Sequence, residues 1–158
     1  AVARAADFAA VPVDSWYRQG VGTVYFEGDF GSGAVMGAWS IDDETANNRI
    51  GLYVSASTAL QVFGTRNNGA GTDTTYLNMG GQASKVFKAV VAFAEDDVAA
   101  SDNGEIAVTD NAFAPPLTAS RLVIGRTYYA GGELNGHAKR LMYWAPRLPN
   151  ATLVELSA

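Results

Sequence analysis

The sequence predicts an all-β protein, an antiparallel two-sheet β-sandwich of the jelly-roll kind with one short helix near its C-terminus. Three observations lead there. Apolar and polar residues alternate with period two in segment after segment, and Gly, Asn and Asp punctuate the gaps. The segments are short strands at regular spacing with no helical pattern between them, which suits two packed sheets. Only the stretch after Pro149 reads as a helix, with Asn150 as its cap and Leu153, Val154 and Leu156 facing the body of the domain.

In chain order, GTVYFEGDF places Val24, Phe26 and Phe30 on one face and Tyr25, Glu27 and Asp29 on the other. AVMGAWSI, ALQVFGT and KAVVAFA are apolar on both faces, so they belong mid-sheet or under a further layer. RIGLYV buries Ile50, Leu52 and Val54 and turns Arg49 and Tyr53 outward. EIAVT repeats the pattern with Ile106 and Val108 inside. Asp42-Asp43-Glu44, residues 66–74 and residues 111–118 read as loops. Asn135-Gly136 is a turn dipeptide that opens a last strand, with Leu141 and Tyr143 on one face and Arg140, Met142 and Trp144 on the other; Pro146 stops it. The expected core includes Phe26, Leu52, Phe93, Ile124, Leu141 and Tyr143.

The 158 residues suffice for one domain, 1–158, burying roughly 70% of the unfolded surface. There is no Cys, which excludes disulfides, thiolate metal sites and cysteine nucleophiles. A net charge of −5 with scattered basic residues argues against nucleic acid and anionic membranes as partners. No run of roughly 18 apolar residues is present, and Arg4 and Asp7 interrupt the opening segment where a signal would be apolar.

Several landmarks occur in one order: Arg4-Ala5-Ala6-Asp7, Ser15-Trp16-Tyr17, Gly22 to Glu27, Asn47-Asn48-Arg49-Ile50, Lys88 to Phe93 leading to Asp102-Asn103-Gly104, Arg121 to Gly125, and residues 134–156. Together they resemble the laminin-G-like and pentraxin-like domains of the concanavalin A-like superfamily, most closely the version found in bacteriophage tail fibres and other virion proteins. The resemblance implies a concanavalin A-like sandwich with its chain ends close together, the N-terminal segment (Ala5 to Val13) lying near the strand Leu141 to Trp144. With the absence of an initiating Met, it also implies the C-terminal part of a longer virion or extracellular particle protein. Its partners would be host-surface polysaccharide and sister copies of the chain, as in trimeric fibres.

Catalytic patterns are weak. Glu27 and Asp29 share a strand face, but the glucanases of the superfamily carry a further acid where this chain has Ser32, so these two read as a solvated face. His137 is the only histidine, leaving no second ligand for a His-based metal site and no triad with Ser32 or Ser40. The reading is therefore a non-enzyme without a cofactor. Calcium is the one ion the resemblance allows, at Asp42, Asp43 and Asn47 or at Asp96, Asp97 and Asp102. Tyr25, Tyr53 and Trp144 fall opposite the inferred core, with Arg49 nearby. Exposed rings with fixed donors suit stacking on sugars, and the same rings suit contact with a sister subunit. Two functions follow from these residues: a lectin-like domain recognising host glycan through Trp144, Tyr53, Tyr25 and Arg49, or a structural domain packing through them. A glycan hydrolase or lyase is the weakest reading.

Overall fold

The structure is a computed structural model; it describes residues 9–31, 35–55, 59–67, 69, 71–82, 86–126 and 132–158. Among the described residues eleven strands and one helix follow in order: β1 (Ala9–Pro12), β2 (Gly22–Phe30), β3 (Met36–Asp42), β4 (Arg49–Val54), β5 (Ala59–Asn67), β6 (Thr72–Gln82), β7 (Phe87–Ala94), β8 (Asp97–Asp102), β9 (Val108–Asp110), β10 (Arg121–Ile124), β11 (Gly136–Trp144) and α1 (Asn150–Ser157). They form a six-stranded sheet, β1-β10-β3-β4-β5-β6, and a five-stranded sheet, β11-β2-β7-β8-β9. Every strand pair is antiparallel.

The alternation of β2 and β4 decides what lies between the sheets. Val24, Phe26 and Phe30 from one sheet meet Ile50, Leu52 and Val54 from the other, with Trp39, Phe93 and Phe113 completing the core. Ile124, Leu141 and Tyr143, also expected there, are only partly buried and pack at its margin. A second, smaller core lies outside the five-stranded sheet, where Tyr25, Val90, Ala92 and Ala99 are covered by Leu153 of α1. This is the further layer that the two-sided apolarity of KAVVAFA requires. The helix begins at Asn150 with Pro149 as its N-cap and no side-chain cap, so Asn150 does not play the capping role expected of it. Packing holds it instead, since eight residues are too few for a helix to persist alone.

Other expectations are corrected. Residues 66–74 do not form a loop: β5 runs to Asn67, and Asn67 pairs with Thr72 across a tight hairpin into β6. Ile106 is not buried but 87% exposed, because the β8–β9 connection swings out before pairing resumes at Val108. The described part of the N-terminal segment pairs through β1 with β10, not with β11; its approach to β11 comes later, where Tyr143 Oη accepts from the Arg18 amide at 3.0 Å and Trp16 packs edge-on against the Tyr143 ring. The remainder of that segment, including Arg4 to Asp7, lies outside the described residues.

Candidate functional site

The outer face of the six-stranded sheet is built from the residues of β10, β3, β4, β5 and β6 that alternate away from the core. Register sets them in rows. Arg121 pairs with Asp42, and Asp42 with Arg49. Gly51 pairs with Phe63, and Phe63 with Tyr76. Tyr53 pairs with Gln61, and Gln61 with Asn78.

The first row is electrostatic. Asp42 is fully buried, and its Oδ1 accepts from Arg121 Nε at 2.7 Å and from the Glu44 amide at 3.0 Å. Its Oδ2 accepts from Ser40 Oγ at 2.7 Å. A buried carboxylate needs this many donors to offset the water it has lost. Glu44 Oε2 lies 3.8 Å from a terminal nitrogen of Arg121, so the outer end of that guanidinium is only loosely engaged. On the other side of Asp42, the Arg49 guanidinium lies over the Phe63 ring, 4.7 Å from its centroid. Tyr53 closes on the same ring edge-on, 5.3 Å between centroids at 79°. Phe63 is therefore an outward aromatic that is nonetheless buried, a platform that restrains Arg49 and Tyr53. Gly51 makes room for it, since a Cβ there would stand 2.6 Å from the Trp39 carbonyl oxygen and 2.8 Å from the Phe63 ring.

The third row is a chain of hydrogen bonds. Tyr53 Oη donates to Gln61 Oε1 at 2.5 Å, and Gln61 Nε2 donates in turn to Asn78 Oδ1. The chain runs from the middle of the sheet toward its β6 edge.

The four residues expected to bind glycan thus separate into two pairs. Arg49 and Tyr53 come together around Phe63. Tyr25 and Trp144 lie on the opposite outer face, beside α1, and neither is the exposed ring that was expected. Tyr25 is 4% exposed and Trp144 half-buried, because Leu153, Leu148 and Leu156 join them in the second core. Burial, and then the charge of Glu27, push the Tyr25 phenol above its ordinary value.

Arg121, Gln61, Phe63 and Tyr76 were missed as site residues, and Asp42 was read only as a possible calcium ligand. Local alternation could have placed each outward on its own strand, but the register that sets Arg121 beside Asp42 joins residues far apart in sequence.

The other candidates are engaged elsewhere. Glu27 accepts from Tyr25 Oη at 3.2 Å, and Asp29 lies 3.2 Å from Nδ1 of His137, whose side chain is 82% exposed. Ser32 is outside the described residues. Of the first acidic group, Asp42 is held as above, while Asp43 accepts from the Thr45 amide and hydroxyl and from Asn48 Nδ2. Burial would raise the Asp43 carboxyl, but these bonds hold it below its ordinary value. In the second group Asp97 and Asp102 stand at opposite ends of β8, and Asp97 pairs with Arg147 at 2.7 Å. Among the described residues no cluster of three metal-ligating side chains forms.

No family model and no curated protein sequence matches the chain. Solved structures do. The CBM40 of the Ruminococcus gnavus IT-sialidase bound to alpha2,3 sialyllactose is similar, with a TM-score of 0.72 and 15% identity over 89% of this chain and 84% of that one. The NanB sialidase of Streptococcus pneumoniae matches with a TM-score of 0.70 and 13% identity over 95% of this chain, which spans only 27% of the sialidase. A heptameric SAP-like pentraxin from Limulus polyphemus matches with a TM-score of 0.64 and 14% identity over 89% of this chain and 70% of that one. At such identities the likeness is one of fold, and the chain is an antiparallel two-sheet jelly-roll sandwich like these proteins.

Proposed function

We propose that this chain is a carbohydrate-binding domain that takes an acidic glycan on the outer face of its six-stranded sheet, at the row Arg121–Asp42–Arg49. The carrying observation is that Arg121 is paired with the buried Asp42 carboxylate while Arg49, the register neighbour of Asp42 on the next strand, is held over Phe63 on the same outer face, in a protein whose net charge is −5. Guanidinium presents several donors in a fixed plane and suits a carboxylate ligand; stacking on Phe63 and pairing with Asp42 hold the two groups in place before any ligand arrives. The similar CBM40 structure, solved with sialyllactose, supports a sugar of that class. Tyr53 supplies a ring and hydroxyl at the rim of the same site. The virion or extracellular particle setting, with host-surface polysaccharide as ligand and several copies acting together, rests on the sequence resemblance alone. Binding rather than catalysis is favoured because Glu27 and Asp29 lie on the other outer face, engaged by Tyr25 and His137.

Titration calorimetry with 3'-sialyllactose and with lactose tests the proposal. Sialyllactose should bind and lactose should not, and Arg49→Ala should weaken binding at least tenfold in a protein that still unfolds cooperatively, with a modestly lower melting temperature because the Phe63 ring loses its cover. Unaltered affinity in that variant, or equal affinity for both sugars, would place any glycan site elsewhere.

A further inference from the structure

Resting on the acidic-glycan reading above, we infer that Tyr76 and Asn78 form a second, uncharged subsite on β6, and that this subsite makes the domain select an oligosaccharide over its acidic end-sugar. Tyr76 is 56% exposed, one of the few large apolar side chains on the described surface, and it stands directly beside the buried Phe63 in register. The two rings therefore differ in role. Phe63 is covered by Arg49 and Tyr53 and offers no face to a ligand, whereas Tyr76 keeps an open one.

The hydrogen-bond chain Tyr53–Gln61–Asn78 supplies the polar half of the subsite. Gln61 spends its carbonyl on Tyr53 and one amide hydrogen on Asn78, which fixes the Asn78 amide so that its own Nδ2 is left as the donor at the outer end. An exposed ring with a fixed amide donor two residues along the same strand face is what a neutral sugar ring needs: its C–H face on the ring, a hydroxyl on the amide. No charged side chain enters that row on β5 or β6, since Gln61, Phe63, Tyr76 and Asn78 are all uncharged. From β4, which carries Arg49, to β6 is two strand spacings, ~10 Å. One sugar ring does not bridge that distance, but a di- or trisaccharide lying across the strands does. The acidic end would sit at Arg121 and Arg49, and the neutral continuation at Tyr76.

The test uses two probes with the wild-type chain and with Tyr76→Ala and Tyr76→Phe: the methyl glycoside of N-acetylneuraminic acid, and 3'-sialyllactose. Wild type should bind the trisaccharide about tenfold more tightly than the monosaccharide, a difference of ~1.4 kcal/mol. Tyr76→Ala should erase that preference by weakening the trisaccharide alone, and Tyr76→Phe should retain it within about twofold, because the ring and not the hydroxyl is used. The side chain is exposed, so all three proteins should melt together. Equal weakening of both probes by Tyr76→Ala, or no weakening of either, overturns the second subsite while leaving the charged row intact. Failure of wild type to bind either probe overturns both readings together.

Discussion

Asp42 and Asp102 are both buried carboxylates, and they stand in opposite settings. Asp42 accepts from three donors, Arg121, Ser40 and the Glu44 amide; among the described residues the Asp102 side chain accepts only a long bond, 3.5 Å, from Asn103. Burial, and then the nearby charge of Glu105, raise the Asp102 carboxyl above its ordinary value. The folded state therefore holds this proton more tightly than the unfolded chain, so stability falls as pH rises from the ordinary carboxylate value through the raised one. Asp102→Asn should raise the melting temperature at neutral pH, and the advantage should vanish as pH falls toward ~4. A variant that melts lower than wild type at pH 7 would show that the carboxylate is stabilising where it stands. Alternation alone made Arg49 and Tyr53 legible, because RIGLYV leaves no doubt which residues oppose Ile50 and Leu52. It could not report that Tyr25 and Trp144 are covered, since period two tells which side of a sheet a residue takes and not whether a further layer sits on that side.

Among the elements, α1 covers the outer face of the five-stranded sheet. Leu153 is fully buried in contact with β7 and β8, and Ser157 Oγ lies 2.8 Å from Ser101 Oγ while accepting from the Gly104 amide at 3.1 Å. Leu153→Ala should cost about 2–5 kcal/mol in denaturant unfolding, and Leu141→Ala, only partly buried, should fall near or below ~2 kcal/mol. The reverse order would mean that β11, not the helix, seals this side. The helix was legible from Pro149 onward and β11 from its turn dipeptide. The strand β6 was not, because TDTTYLNMGGQ brings only Leu77 and Met79 to the core and is otherwise composed of turn-prone Thr, Asn, Asp and Gly. Such an edge strand is specified by its pairing with β5, for which Thr residues suffice through their β-branching. The second subsite lies on the strand that the local pattern concealed.

For the molecule as a whole, the charge balance sets how binding should respond to solution conditions. An overall −5 repels an acidic polymer at long range, while the Arg121–Arg49 row attracts it at contact. Salt screens both, but the contact term acts between partly exposed groups and dominates affinity. Raising ionic strength from ~0.1 to ~1 M, where the screening length drops from about 10 to about 3 Å, should weaken sialyllactose severalfold. Presenting the sugar in many copies on a bead, with the domain likewise clustered, should raise apparent affinity by roughly 10²–10⁴ over the single pair, as expected of a shallow sheet site. A salt-independent affinity would instead point to stacking alone, without the guanidinium row.

The seating of α1 also gives the molecule a handle. Ala158, which caps the helix, accepts from Lys88 Nζ on the outer face of the five-stranded sheet, so the end of the helix and the Arg121–Tyr76 surface look out from opposite sides of the sandwich. Whatever is joined to that end, whether a carrier protein, a surface or a dye, stands behind the domain, with two sheets between it and the sugar. Attachment there would present the proposed binding face outward without shadowing it, a geometry that a chain tethered along β6 could not offer.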